Sequence, residues 1–201
     1  MRARITICLL LVSAVAVAQD RALIGKWESV TRSTGGIGST LQLSADGSLA
    51  RTVGAMVDAT YTFDGRTLVT TIVDPAIGKK DTTKYRVRIA GDQLTEINGG
   101  GRGVDIVMTR QTPMDITLPL AGTWRYAHSS GATAFLTFTA DGRELLRIPM
   151  RVDGGSWVAV GDQLTLNVAG NDPVTSRYRV DRDVLTLVDN GKEFQYRRAH
   201  D

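Results

Sequence analysis

The sequence predicts an all-β chain: two small antiparallel up-and-down β-barrels in tandem, of about eight short strands each. Three observations predict it. The first is repetition. Leu23-Ile24-Gly25-Lys26-Trp27 returns 97 residues later as Leu120-Ala121-Gly122-Thr123-Trp124, Leu43-Ser44-Ala45-Asp46-Gly47 returns 95 later as Phe138-Thr139-Ala140-Asp141-Gly142, and Tyr85-Arg86-Val87 returns 93 later as Tyr178-Arg179-Val180. Three motifs in one order at a slowly falling offset mark a tandem duplication, with a period too long for a solenoid and long enough for a small domain. The second is alternation. Tyr85, Val87 and Ile89 alternate with Lys84, Arg86 and Arg88, and Phe194 and Tyr196 alternate with Glu193 and Gln195; one apolar face at period two is a half-buried antiparallel strand. The third is punctuation. Asp46-Gly47, Asp64-Gly65, Gly91-Asp92, Asp141-Gly142, Asp153-Gly154-Gly155, Gly161-Asp162 and Asn190-Gly191 fall between the runs, and Gly, Asp and Asn accept the positive φ of tight hairpins.

Taken in order, residues 1–18 read as a signal peptide. Arg2 and Arg4 form a positive start, Ile5 to Val12 an apolar stretch, and Ala16-Val17-Ala18 a small-x-small cleavage pattern. The apolar run is shorter than the roughly 20 residues a spanning helix needs. The chain is therefore expected to be exported, periplasmic or secreted, with cleavage near Ala18 and no membrane span in the mature part. The first barrel is placed at 19–110, with strands near 26–33, 39–44, 48–54, 58–63, 67–74, 83–89, 93–97 and 103–110. Residues 111–119 form a linker whose Pro113 and Pro119 stiffen it and interrupt a sheet ladder. The second barrel is placed at 120–201, with strands near 123–129, 134–139, 143–152, 156–160, 163–168, 174–180, 184–188 and 193–198. Strands of five to eight residues with Lys, Arg, Asp and Thr facing out argue against an outer-membrane barrel, which needs about 9–11 residues per strand and a lipid-facing apolar band.

Composition excludes several function classes. The only cysteine, Cys8, lies in the leader, so the mature chain has neither disulfides nor thiolate chemistry. Without Arg2 and Arg4, 22 basic residues face 21 acidic ones, far from the strong positive field of a nucleic-acid binder. Two histidines, His128 and His200, supply neither a zinc nor a copper ligand set. His128 precedes the turn Ser129-Ser130-Gly131, where serines serve the backbone rather than a triad. Gly99-Gly100-Gly101-Arg102-Gly103 lacks the Lys-Ser/Thr of a phosphate loop and precedes a strand. No catalytic residue, metal site or cofactor is predicted. Glu28, Glu96 and Glu144 are the acids that fall on strands; an inward Glu would have a raised pKa.

These residues resemble the bacterial lipocalin-like domains. Gly25-x-Trp27 and Gly122-x-Trp124 fit the Gly-x-Trp of their first strand, and Leu41, Leu43, Asp46 and Gly47, with Leu136, Phe138, Asp141 and Gly142, fit the pair followed by Asp-Gly. The resemblance implies an arginine on the last strand packed over the tryptophan. Arg110 is its match in the first copy, and Arg197 or Arg198 in the second. Trp27, Arg110, Trp124 and Arg197 are thus expected to be barrel-end structure rather than a site; a guanidinium over an indole adds about 0.5–2 kcal/mol. Neither copy has a full lipocalin's length or its C-terminal helix.

The predicted function is non-catalytic binding of a small, partly apolar molecule in one barrel, with Tyr61, Phe63, Tyr85 and Tyr178 as candidate ligand contacts. The alternative is a pair of filled barrels serving as a structural or interaction module of the cell envelope. An interior of roughly 300 Å³ or more marks a carrier, close packing marks a module, and two acids on apolar walls in one cleft mark acid–base chemistry.

Overall fold

The computed structural model describes residues 20–33, 35–73, 78–101 and 103–199; the expected signal peptide with Cys8, Arg102 and His200 lie outside them. Fourteen strands follow one another: β1 Gly25–Ser29, β2 Ile37–Leu43, β3 Ser48–Phe63, β4 Thr67–Val73, β5 Lys80–Ala90, β6 Gln93–Ile97, β7 Ile106–Arg110, β8 Gly122–Ala127, β9 Thr133–Phe138, β10 Arg143–Val160, β11 Gln163–Val168, β12 Val174–Asp181, β13 Val184–Asp189 and β14 Lys192–Arg198. A 3₁₀ turn, Asn98–Gly101, covers the start of the glycine-rich run that precedes β7. Each strand pairs antiparallel with its sequence neighbour, and β14 closes the ring onto β1.

One extra pairing decides the architecture. The long strands β3 and β10 pair with each other through thirteen positions, from Arg143 opposite Thr60 to Ser156 opposite Ser48. This ladder divides the ring into two closed runs of eight strands. The terminal ring contains β1, β2, the first half of β3, the second half of β10 and β11–β14; the central ring contains the second half of β3, β4–β9 and the first half of β10. Each has its own core. Leu23, Trp27, Leu41, Leu43, Leu49, Trp157, Leu164 and Leu185 fill the terminal ring, and Leu68, Val87, Leu94, Met108, Leu120, Trp124, Leu136 and Phe138 the central one.

One self-contained barrel per half, 19–110 and 120–201, is not what these pairings describe. The halves are merged into one continuous sheet, and each ring takes strands from both. The reason lies at two predicted hairpins that do not form. Strands expected at 48–54 and 58–63 are one strand of 16 residues, and those expected at 143–152 and 156–160 are one strand of 18. Asp153-Gly154-Gly155, read as a turn, lies inside β10. A hairpin at either place would fold its strand back into its own half. Left straight, the strand carries the chain into the other ring, which is the geometry of strand exchange between duplicated domains. Each half thus has seven strands, the third of double length. A bulge between Pro149 and Arg151 marks the middle of the crossing.

Candidate functional site

The duplicated tryptophans close one end of each ring by the same device. The indole N–H of Trp27 donates to the Leu23 carbonyl at 2.7 Å and that of Trp124 to the Leu120 carbonyl at 2.9 Å. Arg198 lies over Trp27 at 4.1 Å from the ring centroid, and Arg110 over Trp124 at 4.0 Å. Each guanidinium donates to two carbonyls of the segment before the Gly-x-Trp: Arg198 to Ala22 and Ile24, Arg110 to Pro119 and Ala121. The glycine is needed because the arginine passes over it. Gly25 and Gly122 have φ of +134° and +117°, and a Cβ on either would meet the Arg198 Nη1 at 2.6 Å or the Arg110 Nη1 at 3.2 Å. Trp27, Trp124 and Arg110 thus meet in indole–guanidinium contacts at the ring ends, and two of the expected placements differ. Arg110 stacks on the second copy's tryptophan, because β7 neighbours β8. Arg198, not Arg197, stacks on Trp27, because alternation along β14 turns Arg197 outward, towards Asp58 at 3.6 Å.

The rings differ inside. The terminal ring is filled by two fully buried or nearly buried indoles, Trp27 and Trp157, and by leucines. The central ring encloses a cavity of about 120 Å³ whose apolar walls include Leu68, Leu94, Met108 and Leu136 and whose polar groups are Glu96, Glu144, Tyr85 and Tyr126. Glu144 accepts a hydrogen bond from the Thr70 hydroxyl at 2.6 Å. Burial pushes its carboxyl above the ordinary range, partly offset by that bond.

The duplication shows what the fold alone requires at these positions. Glu144 pairs with Phe138 as Leu49 pairs with Leu43, and Glu96 pairs with Val87 as Leu187 pairs with Tyr178. Both cavity glutamates therefore stand where the terminal ring has leucines, Leu49 at 3 % and Leu187 at 6 % exposure. A buried leucine stabilises by about 1.5–3 kcal/mol, so the central ring forgoes that twice and carries the desolvation of carboxyl groups besides. A third replacement lies in the core beside the cavity. Tyr61 and Trp157 are equivalent: their backbone N–H groups donate to Gly142 and Gly47, and their side chains to the carbonyls of Thr139 and Ser44. The smaller ring belongs to the central core. These pairings also correct the third repeat motif, since Val87 and Tyr178 are equivalent, an offset of 91; the slip of two residues preserves the face.

Of the four residues predicted to contact a ligand, Tyr85 lines the cavity. Tyr61 and Phe63 pack against the same core without lining it, Tyr61 edge-on to Phe138 at 5.0 Å. Tyr178 belongs to the other ring, and its hydroxyl donates to Asp20 at 2.8 Å; burial first, then that carboxylate, push its pKa up to about 12. His128 bonds only its own turn, through Ser130 at 3.0 Å and 3.2 Å. Among the described residues no group of three or more His, Cys, Asp or Glu is placed to hold a metal ion.

Between the rings lies a waist that the sequence did not foreshadow. Arg147 of β10 grips Glu28 of β1 with two hydrogen bonds, at 3.0 and 2.6 Å, and Asp58 of β3 at 2.8 Å; Arg32 also binds Asp58 at 2.8 Å. Burial alone would raise the Asp58 pKa, but the Arg32 hydrogen bond and the charges of Arg147 and Arg32 hold it below the carboxylate range. Glu28, one of the three candidate acids, is thus a structural partner. Beside this network a cleft of about 710 Å³ crosses the β3–β10 ladder, with β1 and β2 on one wall and β8 and β9 on the other. No family model, no curated protein and no solved structure matches the chain.

Proposed function

We propose that the protein is an exported, non-catalytic binding protein whose central ring takes a small, partly apolar molecule, and that the ligand is cationic, of the primary-amine class. In this reading both closed runs are small lipocalin-like barrels with exchanged strands, and the terminal one is scaffold. The observation that carries it is the pair of glutamates in an apolar cavity at positions where the sister ring has leucines. Acids kept at a cost to stability are a mark of a site. Two acids on apolar walls also meet the condition named above for acid–base chemistry, which is the second reading; conversion of a bound amine, rather than its release unchanged, would replace binding by catalysis. An ammonium group would be paired by the carboxylates, and the apolar walls would take a short carbon chain. The volume sets the size: about 120 Å³ is well below the roughly 300–1,000 Å³ of drug-sized pockets, so the ligand has only a few heavy atoms.

Calorimetric titration with methylammonium to butylammonium tests this. The expected result is saturable binding to the natural protein, lost in Glu96→Leu/Glu144→Leu. Affinity should rise with pH through the raised Glu144 pKa, because only the ionised carboxyl pairs with a cation. Failure of the whole series to bind, or equal binding by the double variant, favours the filled structural module instead.

A further inference from the structure

The waist cleft carries a second, independent site. We infer that it binds an anionic amphiphile in dissolved, monomeric form: an apolar body bearing one carboxylate, sulfonate or phosphate group. Three observations support this. The cleft, at about 710 Å³, is within the range of small-molecule sites. Its basic side chains are Lys26, Arg143, Arg147, Arg197 and Arg198, against the single acid Glu28. Its apolar surface comes from Met56, Phe135, Leu145 and Ile148.

The charges are not equivalent. Glu28 is taken by the Nε and Nη2 of Arg147, so its charge is met before an anion arrives. Arg198 is committed to backbone carbonyls and Trp27, and Arg143 to Asp141 at 2.9 Å. Arg197 is different. Its side chain is 55 % exposed, and its ion pair with Asp58 is long, 3.6 Å, because that carboxylate is already bonded by Arg32 at 2.8 Å. It has donors to spare, in the fork geometry that fits an oxyanion. Duplication explains why the site is one-sided. Thr40 of β2 is equivalent to Phe135 of β9, and Thr52 of β3 to Arg147 of β10, since Thr40 pairs with Thr52 as Phe135 pairs with Arg147. The repeat builds a symmetric saddle, and the second half furnishes it with an apolar wall and with Arg147, whose charge is already met by Glu28 and Asp58. The anion is then expected at the Arg197 rim and the body on Phe135.

The test uses 1-anilinonaphthalene-8-sulfonate, which has one sulfonate and an apolar body, beside the uncharged N-phenyl-1-naphthylamine. Fluorescence titration should show saturable sulfonate binding. Arg197→Ala should weaken it about tenfold and leave the uncharged probe within about twofold, whereas Phe135→Ala should weaken both. Dodecanoate should displace the sulfonate probe at the same site. Absence of saturable binding, or sulfonate binding indifferent to Arg197→Ala, overturns the proposal. So does a sulfonate signal that vanishes in Glu96→Leu/Glu144→Leu while surviving Arg197→Ala, since that places the probe in the central ring. Preference for anionic phospholipid vesicles over monomers, with no monomer binding, overturns it in favour of a membrane surface. Amine binding is read separately in the central cavity, so either site can fail alone.

Discussion

The terminal and central rings are built from equivalent strands, closed by equivalent Trp–Arg caps, and differ in what fills them. The terminal ring spends its interior on Trp157, Leu49 and Leu187; the central ring has Tyr61, Glu144 and Glu96 at the matching places. The shared parts are what eight strands need in order to close. The unshared parts are free to serve something else, and in the central ring they oppose packing.

The largest effects are expected where the rings agree. Trp27 and Trp124 are both 0 % exposed. Replacing either with Ala should cost about 3–5 kcal/mol, read from chemical denaturation, and the two costs should match within about 1 kcal/mol. A large mismatch would break the equivalence of the caps. A cost of the same order is expected from moving the acids across: Leu49→Glu/Leu187→Glu in the filled ring should destabilise by more than about 3 kcal/mol. The reverse exchange, Glu96→Leu/Glu144→Leu, should stabilise by about 1–2 kcal/mol. If the reverse exchange destabilises instead, the glutamates are part of the core's design and the proposed amine site loses its support.

The waist comes next, because it belongs to both rings. Arg147→Ala leaves Glu28, whose side chain is 13 % exposed, without its bidentate partner, and should cost about 2–4 kcal/mol. Arg147→Met/Glu28→Met should recover most of that loss, since the charge and its counter-charge leave together. Acid separates the waist from the cavity by sign. Asp58 has a lowered folded pKa, so the stability it contributes is present above the ordinary carboxylate range and is lost as pH falls through the folded value. Glu144 has a raised one, so its contribution is complete at low pH and is lost as pH rises through the folded value. The stability difference between the natural protein and Glu144→Gln should therefore grow from acid towards neutral pH. For Asp58→Asn the difference should likewise widen as pH rises, but it begins at a lower pH and reflects a favourable charge.

The all-β character was legible because alternation and turn residues are local signals, although two pairs of expected strands proved to be the single long strands β3 and β10. Gly25-x-Trp27 announces its own backbone, and alternation announces its own face. Exchange between halves was not legible, because the stretch between the two strands expected in β3 is flanked by Gly54 and Asp58, and that in β10 is Asp153-Gly154-Gly155, residues that suit a hairpin as well as a crossing. What selects the straight strand is the thirteen-position ladder between β3 and β10, a contact between segments some 90 residues apart. The waist followed it out of reach: Asp58, Arg147 and Arg32 have no spacing that joins them until that ladder is known. Glu96 and Glu144 were legible as acids on strands. That they share a cavity depends on which strands face each other. Arg197 and Arg198 were inseparable by sequence, because a step of one residue chooses the face and only the β13–β14 register fixes the step.

The smallest effect is expected from cutting the chain. The linker 111–119 joins β7 to β8 in the central ring, and it is exposed, with Ile116 at 82 %. The matching place in the terminal ring is the junction of β14 with β1, where the described chain has its two ends; there Trp27 pairs with Arg198, and the Ala199 N–H donates to Lys26 at 2.8 Å. That ring closes on strand pairing without a covalent connection. A protease site inserted at Ile116 and cut in the folded protein should leave the two pieces together in size-exclusion chromatography, with denaturation midpoints within a few per cent of the uncut chain. Each piece holds half of the β3–β10 ladder and contributes strands to both cores, so neither can leave without opening both rings. Separation of the cut pieces under native conditions would mean that each half closes on itself, and the exchange of strands would be refuted. Intact association, by contrast, makes the two rings equal in the one respect in which their connectivity differs, and leaves their interiors as the sole source of any difference in what they bind.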